Sequence, residues 1–143
     1  MKLALVFPGQ GSQAVGMMQG FADTKVVRDT FAEASAALGQ DLWQLVATGP
    51  AEDLNATVNT QPVMLTAAYA MFRAWLEAGG PPPTIVAGHS LGEYTALVAA
   101  GVLAFSDAVP LVRFRAQAMQ EAVPVGTGAM AAILGLDDEA VRT

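Results

Sequence analysis

Two glycines, Gly88 and Gly92, bracket a serine where a short β-type run, Thr84 to Ala87, gives way to an alanine-rich helical pattern reaching about Ala100. The string Gly88-His89-Ser90-Leu91-Gly92 satisfies G-x-S-x-G, the pattern of a nucleophile elbow. Such a turn is so sharp that side chains on either flank would collide, hence the glycines. It lifts the central hydroxyl toward a substrate and points the next backbone N–H at a developing oxyanion. The pattern needs a strand before it and a helix after it, and this sequence supplies both.

The same alternation runs along the chain. Leu3 to Phe7 is a continuous apolar run closed by Pro8-Gly9, suited to a strand buried on both faces of a parallel sheet. A glycine-rich turn, Pro8 to Ser12, follows. Asp23 to Leu38 reads as a helix with Asp23 or Thr24 as N-cap and Gly39 as its stop; Asp41 to Ala47 and Ala51 to Val58 read as short helices. Thr60 is expected to cap a longer helix ending at Gly79-Gly80. Its apolar face carries Met64, Leu65, Ala68, Tyr69, Met71, Phe72, Trp75 and Leu76; Thr66, Arg73 and Glu77 face the other way. Pro81 to Pro83 form a stiff connector. Ser106-Asp107 is expected to cap a helix running to about Ala122, with Pro110 in its first turn. After a turn at Pro124 to Gly128, Ala129 to Leu134 is expected as a third strand and Asp137 as the N-cap of a last helix. Strands alternating with helices imply an α/β fold with a parallel sheet.

Charge and composition narrow the function classes. The 143 residues carry 7 Lys+Arg against 13 Asp+Glu, for a net charge of −6, and the basic residues are scattered. That excludes the cationic stripe nucleic acid requires. The longest apolar stretch, Ala96 to Phe105, is half the roughly 20 residues a bilayer demands. The apolar run at the start is too short for a secretory signal, so a cytoplasmic protein is expected. With no cysteine and one histidine, thiol nucleophiles, disulfides and thiolate metal sites are excluded, and a histidine-based zinc site is not expected. Charged residues make up only 14% of the chain, below the average of about 25%, so part of its surface is expected to be covered by more protein.

Three further positions bear on chemistry. Ser90 needs a general base, but His89 is its neighbour on a tight turn, where adjacent side chains point apart; a hydrogen-bonded structural role is expected for it. Gly9-Gln10-Gly11-Ser12-Gln13-Ala14 satisfies the loose dinucleotide fingerprint. The acidic residues at the right distance, Asp29 and Glu33, fall within a helical pattern, which speaks against a nucleotide role. Arg115 falls amid Leu111, Val112, Ala116, Ala118 and Met119 on the apolar face of its helix, whereas Arg113, Gln117, Gln120 and Glu121 share the solvated face. A guanidinium so placed must be paired, either with a protein carboxylate or with one supplied by a ligand.

Taken together, Phe7-Pro8-Gly9-Gln10-Gly11-Ser12-Gln13, Thr60-Gln61-Pro62, Gly88-His89-Ser90-Leu91-Gly92-Glu93-Tyr94, Arg115 and Gly126-Thr127-Gly128-Ala129-Met130 resemble the malonyl-CoA:acyl carrier protein transacylases. The resemblance covers about the first half of that family's catalytic domain. It implies an incomplete α/β-hydrolase-like subdomain over residues 1–125 and the start of a ferredoxin-like small subdomain over 126–143. It places the nucleophile on Ser90, oxyanion donors on the backbone N–H groups of Gln10 and Leu91, a malonyl-carboxylate arginine on Arg115, and an active-site position of less definite purpose on Gln61. The family's catalytic histidine would lie beyond Thr143, so the chain is expected to be inactive alone. The implied substrates are malonyl-CoA and the phosphopantetheine thiol of acyl carrier protein, with no metal or redox cofactor and with the missing C-terminal half as a further partner. Two rivals stay open: a serine thioesterase or carboxylesterase, which would not need Arg115, and a non-catalytic piece of a larger assembly.

Overall fold

A computed structural model describes residues 2–123, 126–127 and 133–142. Strand β1 (Ala4–Phe7) pairs in parallel with β2 (Ile85–Gly88), Ala4 opposite Ile85 and Phe7 opposite Gly88. Among the described residues seven α-helices accompany them: α1 (Lys25–Leu38), α2 (Leu42–Thr48), α3 (Ala51–Asn55), α4 (Thr57–Glu77), α5 (Leu91–Ala99), α6 (Phe105–Glu121) and α7 (Asp138–Arg142). The expected third strand lies mostly outside the described residues; its described part, Ile133 and Leu134, is not strand.

The sheet departs from expectation in its burial. Phe7 is buried and Leu5 half-buried, yet Val6 is 77% exposed, and in β2 Ile85 is 60% exposed. The inward residues Phe7, Leu5 and Val86 pack with Phe72 of α4 and Ala96 of α5. Among the described residues the other face is uncovered, because side chains alternate along a strand and one helical layer covers one side.

Helix α4 is the axis of the fold, packed against α1, α5 and α6. Residues 60 to 67 are all buried, so this half of the helix has no solvated face. Thr66, expected outside, is fully buried, and its hydroxyl donates to the Pro62 carbonyl at 2.7 Å. Thr60 is not the cap. The helix starts at Thr57, and Thr60 Oγ1 donates inward to the carbonyls of Leu54 (2.6 Å) and Ala56 (3.1 Å), tying α3 to α4. Arg73, also expected on the solvated face, is half-buried. It reaches Glu33 of α1 at 2.8 Å and lies over the rings of Tyr69 and Phe105.

Helix α6 starts one residue before the expected Ser106-Asp107 cap, with Ala104 at the N-cap, so Pro110 falls in its second turn. Its core stripe is Phe105, Ala108, Val109, Val112 and Ala116. Leu111, Ala118 and Met119, assigned to that face from the sequence, are exposed, as is Phe114. Arg113 is the converse correction: its side chain is half-buried, with Nη2 on Gln40 and a buried Nε lacking a partner. Asp137 accepts from the Ala140 N–H and Gly39 ends α1 in the left-handed conformation, both as expected; Thr24 is the N-cap of α1 without a side-chain bond, and Asp41, expected inside its helix, is instead the N-cap and accepts from the Gln44 N–H.

Candidate active site

The turn between β2 and α5 has the geometry its glycines require. Ser90 has φ 54° and ψ −113°, the one positive φ at a non-glycine position among the described residues. Such strain costs on the order of 1–3 kcal/mol and persists only where the surroundings impose it. A Cβ on Gly88 would stand 2.1 Å from the Gly92 carbonyl group, and one on Gly92 would stand 2.3 Å from the Phe7 carbonyl oxygen. The elbow is therefore pressed against the end of β1, and no side chain fits at either flank.

Exposed on this turn, Ser90 occupies the N-cap position of α5 but forms no side-chain cap, which leaves its hydroxyl free to face other groups. Leu91, the first helical residue, has an N–H with no intrahelical acceptor, as the geometry of a helix start dictates. The loop after β1 runs alongside, with a Cβ at Gly9 lying 3.2 Å from the His89 carbonyl oxygen. In that loop the Gln10 backbone N–H donates to no described protein acceptor, while its side chain reaches Thr57 Oγ1 at 3.1 Å. Among the described residues the backbone N–H groups of Gln10 and Leu91 are thus both unengaged. The His89 imidazole is exposed and makes no hydrogen bond to a described residue, contrary to the structural role expected for it.

Arg115 comes from α6 to meet this turn. Its Nη2 donates to Ser90 Oγ at 2.9 Å and its Nη1 to Gln61 Oε1 at 2.7 Å, and the guanidinium lies 5.5 Å from the Tyr94 ring. Gln61 is fully buried in α4, and its Nε2 donates to the Met119 sulfur at 3.4 Å, so its amide oxygen is turned toward Arg115. No described carboxylate pairs with Arg115; the described ion pairs are Lys25–Asp29 and Arg73–Glu33. Of the two pairings open from the sequence, the protein salt bridge is therefore absent among the described residues. A guanidinium with neutral described partners keeps the capacity for a charge-assisted bond to an anion.

Sequence reasoning gave no role to Tyr94 or Met119. Tyr94 stands one helical turn beyond Ser90, a spacing that puts both on one face. The apolar pattern of α6 marks Met119 as core, and no local signal marks a methionine as a hydrogen-bond acceptor. The described residues hold no group of three or more His, Asp or Glu able to bind a metal, and no helix long and apolar enough to cross a membrane.

Residues 4–142 match the model of the acyl transferase domain family. The chain belongs to that family. It is 61% identical over 141 residues to the malonyl CoA-acyl carrier protein transacylase of Escherichia coli (strain K12), which covers 98% of this chain and 46% of that protein. It is 49% identical over 142 residues to the transacylase of the same description from Bacillus subtilis (strain 168), covering 99% of this chain and 44% of that one. Among solved structures, the acyl-carrier-protein S-malonyltransferase of Burkholderia pseudomallei 1710b superimposes with a TM-score of 0.94 at 74% identity, over 99% of this chain and 46% of that one. A malonyl-transacylase in complex with its type II PKS acyl-carrier protein gives a TM-score of 0.93 at 56% identity, over the same shares of the two chains. The chain thus spans just under half the length of these relatives, and its mostly helical α/β fold with a small parallel sheet matches the corresponding part of the solved structure.

Proposed function

We propose that this chain carries the nucleophile-bearing part of a malonyl-CoA:acyl carrier protein transacylase of fatty acid synthesis. Residues 1–125 would belong to its α/β-hydrolase-like subdomain and residues 126–143 would open its ferredoxin-like one. The supporting observation is the placement of Arg115, a cation without a described acidic partner whose fork reaches both Ser90 Oγ and Gln61 Oε1.

Ser90 Oγ attacks the thioester carbonyl of malonyl-CoA and its proton passes to a general base. The backbone N–H groups of Gln10 and Leu91 hold the tetrahedral oxyanion. Collapse breaks the C–S bond, CoA leaves as its thiol on taking up a proton, and a malonyl-serine ester remains. The phosphopantetheine thiol of acyl carrier protein attacks that ester in the reverse sense and carries the malonyl group away. Arg115 holds the free carboxylate throughout, and Gln61 fixes the guanidinium. The described side chain that bonds Ser90 Oγ is the Arg115 guanidinium, which cannot take a proton, and the family resemblance places the base, a histidine, beyond Thr143. No cofactor enters these steps. Both substrates are anionic, as is this chain at −6, so docking depends on local basic groups.

Peptide mapping of the full-length protein after incubation with malonyl-CoA tests the reading. The added mass belongs on Ser90 and disappears in Ser90→Ala; label on Ser12 or Ser106 would overturn it. Turnover of acyl-CoA to free acid at undiminished rate without a thiol acceptor would identify a hydrolase instead.

A further inference from the structure

The loop that presents the Gln10 N–H has no secondary structure of its own, yet two side-chain amides bind it to one corner of the fold. Gln10 Nε2 donates to Thr57 Oγ1 at 3.1 Å, and Gln13 Nε2 donates to Asn55 Oδ1 at 2.8 Å. The Gln13 Oε1 turns back to accept the Gly11 N–H at 2.8 Å. Gly11 has φ 103°, a conformation open to glycine, and it immediately follows Gln10. One amide thus closes the turn next to the oxyanion donor and also fastens that turn to the end of α3.

The corner is a firm anchor. Around the α3–α4 junction, Asn59 Nδ2 donates to the Asp53 carbonyl at 2.9 Å, and Thr60 Oγ1 donates to those of Leu54 and Ala56. Leu54 is buried between these bonds. The junction therefore holds its own backbone and turns Asn55 and Thr57 outward to the loop.

We infer that Gln13 and Asn55 are positioning residues for oxyanion stabilisation: their amide bridge sets the direction of the Gln10 N–H relative to Ser90. The inference rests on the proposed role of the Gln10 N–H. An oxyanion donor acts only if it is aimed before the charge forms, and a free loop would have to be ordered in each turnover. The amide at position 13 serves both bonds from one group, accepting from the Gly11 N–H and donating to Asn55 Oδ1. Asn55 has both functions as well, and its amide can turn over.

This gives a distinctive pattern in the full-length protein. With Asn55→Asp the carboxylate still accepts from Gln13. With Gln13→Glu the carboxylate still accepts from Gly11, and Asn55 turns its Nδ2 toward it. Only the double variant sets two carboxylates face to face and breaks the bridge. The readouts are kcat and KM for malonyl transfer and the rate at which a small neutral phosphonofluoridate modifies Ser90, a step that needs the same oxyanion donors but no malonyl group. Each single variant should stay within about threefold of the parent, while the double variant should fall about tenfold or more in kcat and in phosphonylation, with KM and Tm little changed. Gln13→Met, which removes both bonds without adding charge, should match the double variant. A double variant no worse than the product of the singles, or losses confined to KM or Tm, would overturn the inference. If Ser90 is phosphonylated but takes no malonyl group, the transacylase reading fails while the bridge is still tested by phosphonylation.

Discussion

Arg115 Nη2 donates to Ser90 Oγ at 2.9 Å, joining α6 to the elbow turn. The same guanidinium is anchored on its other side by Gln61 and has no described acid to neutralise it. Arg115→Ala in the full-length protein therefore strands no described protein carboxylate, and Tm should fall only by the equivalent of about 1 kcal/mol for the bond lost at Gln61 Oε1. Malonyl transfer should fall by about 2 to 5 kcal/mol in transition-state stabilisation, while acetyl transfer holds or rises. The check is the ratio of malonyl to acetyl kcat/KM beside a melting curve. A larger fall in Tm with an unchanged acyl ratio would return Arg115 to a structural role.

The strain at Ser90 makes an opposite pair of predictions for stability and chemistry. Ser90→Ala should abolish acylation with stability nearly unchanged, since alanine meets the same positive φ. Ser90→Gly should also abolish it but raise stability by about 1 kcal/mol, because glycine adopts φ 54° without the Cβ penalty. Denaturant midpoints of the two variants distinguish them.

Gly88→Ala and Gly92→Ala should each cost roughly 3 kcal/mol or more, since the new methyl meets backbone rather than a movable side chain. Gly11→Ala meets nothing within 4 Å, so its cost is confined to the positive φ, about 1 kcal/mol. Chemical denaturation of the three variants checks the ordering.

For Arg113, desolvation lowers the guanidinium pKa from its ordinary value, and its Nε is buried without a partner. Replacing such a group with an apolar side chain of similar length removes the desolvation cost. Arg113→Met should hold stability within about 1 kcal/mol of the parent or raise it, whereas Arg113→Ala should lower it by about 1 kcal/mol through lost packing. Neither should change the malonyl-to-acetyl ratio, which makes Arg113 a control for Arg115 on the same helix.

The 143-residue chain by itself should not transfer malonyl groups, because the described group that meets Ser90 Oγ is a guanidinium, which cannot take a proton. Radiolabelled malonyl-CoA and holo acyl carrier protein provide the assay. Linear accumulation of malonyl-acyl carrier protein would refute this.

What was legible in the sequence was what backbone geometry dictates. Both described strands, the elbow and most helix limits follow from glycines, prolines and apolar runs, which act locally. The convergence of Gln61 and Arg115 on Ser90 was foreshadowed by the family resemblance, and spacing alone would not have shown it. The errors lie where tertiary contact overrides a local pattern. Thr60 resembles a cap, but its hydroxyl serves α3. The apolar pattern of α6 points to Leu111 and Met119, which are exposed, because an apolar side chain does not say which neighbour covers it. Arg113 looked solvated because a long cationic side chain can lay its stem along a buried surface.

The near-contact of Gly92 with the Phe7 carbonyl divides the site into a fixed wall and an adjustable one. On the fixed wall, β1 and α5 meet backbone to backbone, with less than a methyl group's clearance. No exchange of side chains can widen or reshape it, and Ser90, held between Gly88 and Gly92, inherits that rigidity. The opposite wall, made of Gln61, Arg115 and Met119, consists of side chains alone. Differences in acyl preference among proteins that share this elbow should therefore map to α4 and α6, leaving the spacing of the elbow from β1 constant.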